Sequence, residues 1–110
     1  MWIDSHCHIT ADDFREDRSQ VLDRAAESGV ETVIGIGAGY GLEHNERAVA
    51  LAAADPRIFA TVGVHPHDAD QLDDEGRKRL RQWIGRPRVS RKDRPIPAPM
   101  PSVVPEAARA

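Results

Sequence analysis

Gly29-Val30-Glu31-Thr32-Val33-Ile34-Gly35-Ile36-Gly37 is the stretch on which the fold turns. Its interior is apolar and β-branched without the alternation of a strand wetted on one face, which is the composition of a strand buried on both sides of a parallel sheet. Parallel neighbours need crossover connections, so a helix is expected on each side. Upstream, Phe14, Val21, Leu22, Ala25 and Ala26 recur at helical spacing across residues 14–28, and Gly29 is a C-terminal stop. Downstream, residues 42–54 are rich in helix formers around Val49, Ala50, Leu51, Ala52 and Ala53, and Asp55-Pro56 closes that segment.

Farther out, Met1 to Ser5 and Ile58 to Val64 have strand composition, and Thr10-Ala11-Asp12-Asp13 offers N-cap candidates for the first helix. Asp70, Asp73, Asp74 and Glu75 precede Arg77, Lys78, Arg79 and Arg81, the order a helix dipole favours, and Leu80, Trp83 and Ile84 give that helix an apolar edge. Three strand–helix units in this order predict an α/β fold with a parallel sheet. From Arg86 the pattern is expected to stop.

Composition changes at the same place. Residues 1–85 carry 9 basic and 16 acidic side chains, whereas residues 86–110 carry 6 and 2 together with six of the eight prolines. Such a tail sustains neither a helix nor a central strand and is expected to be disordered or polyproline-like. We divide the chain into residues 1–89 and a Pro-rich basic tail, residues 90–110. The abrupt change near Val89 is what a frameshifted or interrupted reading frame leaves.

Other classes are excluded or disfavoured by the same bookkeeping. No apolar run approaches the roughly 18 to 20 residues that span a bilayer. The acidic first part is no standing electrostatic footprint for nucleic acid, although an enzyme that meets phosphates through a metal needs none. Cys7 is the single cysteine, so no intramolecular disulfide can form, and the chain opens on a strand without a leader; a cytoplasmic protein is expected.

The chemistry lies at two strand ends. Asp4-Ser5-His6-Cys7-His8 puts two imidazoles at i and i+2, on one face if the segment is extended, at the carboxyl end of a parallel strand where α/β folds place their sites. Two solvated loop histidines are the bland alternative; position and the neighbouring Asp4, a candidate orienter, favour metal ligation. Gly63-Val64-His65-Pro66-His67-Asp68 follows the third strand. A proline-fixed turn with Asp68 opening a cap explains it structurally, while a functional role requires a cleft shared with the first pair, which parallel neighbouring strands would supply. Gly35, Gly37, Gly39 and Gly41 lack the GxGxxG spacing and a Gly-Lys-Ser/Thr ending, so they read as a turn constraint. Cys7 is expected to pack on the face opposite the histidines, and Trp2 and Trp83 to be core or helix-packing residues.

Taken together, Ile3-Asp4-Ser5-His6-Cys7-His8-Ile9 and Val62-Gly63-Val64-His65-Pro66-His67-Asp68 resemble the TatD family of metal-dependent hydrolases over residues 1 to about 89. The resemblance implies a partial TIM-type (β/α)8 barrel of about three βα units and hydrolysis of DNA phosphodiesters, often from the 3' end. It implies a divalent metal site, two ions of Mg, Mn or Zn per complete site, with His6 and His8 as ligands and His65 at the rim near substrate phosphate. The family's metal-bridging glutamate belongs to a Gly-Glu-Ile-Gly-Leu-Asp-like segment, where this chain reads Val89-Ser90-Arg91-Lys92-Asp93-Arg94-Pro95. The expectation is therefore a truncated hydrolase with little or no activity of its own. Rival readings are a non-catalytic fragment that pairs with a complementary chain, and an amidohydrolase or PHP-type metallohydrolase. Self-association through open sheet edges is also expected.

Overall fold

A computed structural model of the chain describes residues 1–90. The Pro-rich tail, apart from Ser90, lies outside the described residues. Three strands, β1 (Trp2–Cys7), β2 (Val30–Ile36) and β3 (Ile58–Thr61), alternate with helices α1 (Arg18–Glu27), α2 (His44–Ala54) and α3 (Asp74–Ile84). The strands form one parallel sheet in the order β1-β2-β3, so the sheet is α/β as the apolar run of β2 requires. Among the described residues no helix is long and apolar enough to cross a membrane.

The core lies between the sheet and its helices. Val33 and Ile58 are paired across β2 and β3, as are Gly35 and Ala60, and all four are buried on the side where Leu22, Val49, Ala52 and Trp83 pack. On the opposite side Ile34 pairs with Phe59 and Ile36 with Thr61, and these residues are only half-buried. The sheet is thus a one-sided layer with an apolar second face. Gly29, at φ +97°, ends α1 in the left-handed region, and its carbonyl accepts the Trp2 N–H at 2.7 Å.

β1 runs to Cys7, two residues past Ser5, and four other boundaries differ from the sequence pattern, each for an identifiable reason. Residues 12–14 form a 3-10 turn and α1 starts only at Arg18, because the Arg18 guanidinium donates to the Ile9 carbonyl (2.7 Å) and the Ala11 carbonyl (3.1 Å) and holds the incoming chain in tight turns. None of the polar residues there provides a side-chain cap. At the start of α2, residues 42 and 43 remain in a turn, since the His44, Asn45 and Glu46 N–H groups donate to carbonyls three residues back, while Asp68 Oδ2 (3.0 Å) and Gln71 Oε1 (2.7 Å) accept the N–H groups of Gly41 and Leu42 and fix the loop ahead of it.

β3 ends at Thr61, three residues short of Val64, because a side chain takes over its pairing. The buried Asn45 donates through Nδ2 to the Gly63 carbonyl (2.8 Å) and accepts the Gly63 N–H at Oδ1 (3.0 Å). The pattern also runs past Arg86. Val89 is 2% exposed and bridges Ala60 in parallel, with the Ala60 N–H donating to Arg88 O and the Ser90 N–H to Ala60 O, both at 2.9 Å. Among the aromatics, Trp83 is core as expected and carries the Arg79 guanidinium 4.7 Å above its ring, but Trp2 is 41% exposed on the edge strand, against Gly29.

Candidate metal and nucleic-acid site

β1 delivers His6 and His8 to the carboxyl edge of the sheet, with both side chains exposed. Pairing with β2 slips between Asp4 and Cys7, a bulge where three steps on β1 match two on β2. The bulge leaves Cys7 turned toward the core, where burial pushes its thiol pKa up and makes it a poor nucleophile. The two imidazole rings lie 5.1 Å apart, edge to face. Two imidazoles on one ion, with N–metal bonds of about 2.0–2.1 Å and an angle near 100–110°, place their centroids about 5 Å apart. The observed spacing equals that separation, and imidazole nitrogens are the donor type of a transition ion or zinc.

Asp4 does not orient either ring. Its Oδ1 accepts the His6 backbone N–H at 3.1 Å, which fixes the strand rather than the imidazole. The contact to His8 comes instead from Tyr40, whose hydroxyl is 3.1 Å from Nδ1, leaving Nε2 for an ion. Tyr40 packs on His44 in turn, with ring centroids 4.6 Å apart. Thr10, fully buried, donates its hydroxyl proton to the Ile36 carbonyl (2.7 Å), so the bond from its oxygen to His44 (3.1 Å) is donated by His44 Nε2–H. Burial first, and then the charge of Arg47, lowers the His44 pKa, which favours the neutral ring.

Sequence reasoning passed over Tyr40, His44 and Asn45, and took Thr10 only as an N-cap candidate. Asn45 carried a signal, since a lone amide on an alanine-rich helix is polar where the pattern demands burial.

The second cluster is a separate pair. His65 and His67 are exposed with rings 4.4 Å apart, and His65 Nδ1 accepts the His67 N–H at 3.1 Å, capping a 3-10 turn over residues 66–71. Among the described residues no hydrogen bond, ion pair or ring contact joins it to His6 or His8. The reason is topological: β2 stands between β1 and β3, so the two strand ends are not neighbours. The glycine loop spans the gap, with Tyr40 on His8 and Gly41 on Asp68. Asp68 is thus a partner of that loop rather than a cap of α3, which Asp73 caps by accepting the Gly76 N–H at 2.8 Å. Among the described residues no group of three or more His, Cys, Asp or Glu side chains converges to hold an ion.

Comparison with known proteins gives this arrangement a context. The family model described as TatD related DNase matches residues 3–91. A 3'-5' ssDNA/RNA exonuclease TatD from Cronobacter turicensis is 38% identical over 82 residues, which cover 74% of this chain and 30% of that protein. The protein of the same name from Dickeya dadantii is 39% identical over 83 residues, 74% of this chain and 31% of the relative, and that from Enterobacter lignolyticus 33% over 82, with the same coverage. The chain spans about 30% of the length of these relatives.

Proposed function

The chain belongs to the TatD-related DNase family, and from that premise we propose that it is part of a metal-dependent hydrolase acting on DNA phosphodiester bonds, of the 3'-5' deoxyribonuclease type. The observation that carries the reading is the His6–His8 pair: two exposed imidazoles 5.1 Å apart at the carboxyl end of β1, inside the segment that matches the family. In this reading residues 1–89 are the first three units of a (β/α)8 barrel, residues 90–110 are a separate tail, and the protein is cytoplasmic, where its one thiol stays reduced. His6 and His8 are ligands to a divalent ion, and His65 lies on the rim with Nε2 free to meet a substrate phosphate.

When bound, the ion supplies Lewis-acid polarisation of a phosphoryl oxygen and an activated water. Two imidazoles hold such an ion weakly, and no third ligand converges on them among the described residues. The 110-residue polypeptide by itself therefore has little or no turnover. The test is a Mn2+ titration followed by calorimetry, with degradation of a 3'-labelled single-stranded DNA followed in parallel. Weak Mn2+ binding that disappears in His6→Ala and in His8→Ala supports the ligand assignment; equal binding in wild type and variants overturns it. Rapid digestion that His6→Ala abolishes overturns the inactivity.

A second reading rests on the half-buried face of Ile34, Ile36 and Phe59. There the chain is a non-catalytic module completed by a complementary chain that supplies further strands. Co-expression with such a chain would raise metal affinity and suppress aggregation, whereas no change would eliminate this reading.

A further inference from the structure

The loop between β2 and α2 holds a side chain aimed at the proposed ligand pair. Tyr40 Oη is 3.1 Å from His8 Nδ1, with the rings 5.8 Å apart at 73°. Its position is not that of a free surface tyrosine. The ring rests on His44, which is tied through Thr10 to the β2 carbonyl of Ile36, and the next residue is tied by its Gly41 N–H to Asp68. Hydrogen bonds and one ring contact, between His44 and Tyr40, thus link the β2 backbone to the second nitrogen of His8.

The tautomer decides what that contact does. A neutral imidazole has one proton, and Nε2 can offer a lone pair to an ion only if the proton is on Nδ1. The group facing Nδ1 must then be an acceptor, and a hydroxyl oxygen can be one. We infer that Tyr40 is a positioning residue for His8: its oxygen accepts from Nδ1–H and holds Nε2 toward a divalent ion. This rests on the ligand reading of His6 and His8 proposed above.

The experiment uses the full 110-residue chain and Co2+ alone as the probe. Affinity is read by calorimetry, the site by the Co2+ absorption spectrum, and the His8 ring by long-range 1H–15N spectra with and without a diamagnetic Zn2+ load. Tyr40→Phe keeps the ring against His44 and removes only the oxygen. It is expected to weaken Co2+ about tenfold, to move the His8 Nδ1 resonance and to leave the thermal melt unchanged, and Tyr40→Ala is expected to weaken Co2+ no further. Co2+ affinity in Tyr40→Phe within about twofold of wild type, or loss in Tyr40→Ala alone, overturns the inference and leaves the ligand reading standing. Failure of wild type itself to bind Co2+ removes the ligand reading and this inference with it.

Discussion

A Cβ at Gly37 would fall 2.6 Å from Asn45 Oδ1 and 2.8 Å from the Thr61 carbonyl, distances at which something must move. The backbone passes there because the Gly37 N–H, just past β2, donates to the carbonyl of Thr61, the last residue of β3, at 3.0 Å. Gly37→Ala is expected to cost about 1–3 kcal/mol, as overpacking does, and denaturant unfolding will measure it. Asn45→Ala leaves the Gly63 carbonyl and the Gly63 N–H without their partner, while the Leu42 carbonyl keeps the Asn45 backbone N–H at 3.2 Å. Its expected cost is about 2–4 kcal/mol, larger than for a typical change on an exposed helix face; a loss under about 0.5 kcal/mol would show that water replaces the amide.

At the scale of elements, the Asp55–Arg57–Asp23 linkage joins the turn between α2 and β3 to α1. Arg57 grips Asp55 at 2.8 Å and Asp23 at 2.7 Å, and this hydrogen bonding holds the Asp55 carboxyl below its usual range, the burial of Asp55 opposing it. The folded pKa is depressed, so the stabilisation is complete above the unfolded carboxylate range of about 4 and fades as pH falls through the folded value. Asp55→Asn should therefore cost about 1 kcal/mol at pH 7, with the gap to wild type closing below about pH 4; a gap independent of pH from 7 to 3 would refute the assignment. Elements of this kind were legible in the sequence where periodicity was strong, as in β2, whose limits match the apolar run from Val30 to Ile36. Boundaries set by single side chains were not. Arg18 delays α1 through bonds to the carbonyls of Ile9 and Ala11, which no apolar period announces, and Asn45 truncates β3 through a contact 18 positions away that a local window does not contain. His6 and His8 were legible because strand geometry alone pairs them, whereas Tyr40 reaches His8 across 32 positions from a glycine-rich loop with no period to read.

At the scale of the molecule, the sheet is finished on one face only. Ile34, Ile36 and Phe59 are half-buried away from the helices, and among the described residues β1 pairs with β2 alone. An apolar face beside an unpaired edge favours association. Light scattering of the 110-residue polypeptide should give a mass that rises with concentration; a constant monomeric mass with a cooperative melt would overturn this. The buried amide of Asn45 bears on how such a layer breathes. By grasping Gly63 from the first turn of α2, it is expected to make the crossover helix, the exit of β3 and the rung at Gly37 open as one unit, with solvent reaching these backbone groups together. The Gly63 amide lies outside every strand, yet its hydrogen should exchange as slowly as those of β3, and in Asn45→Ala as fast as those of an open loop.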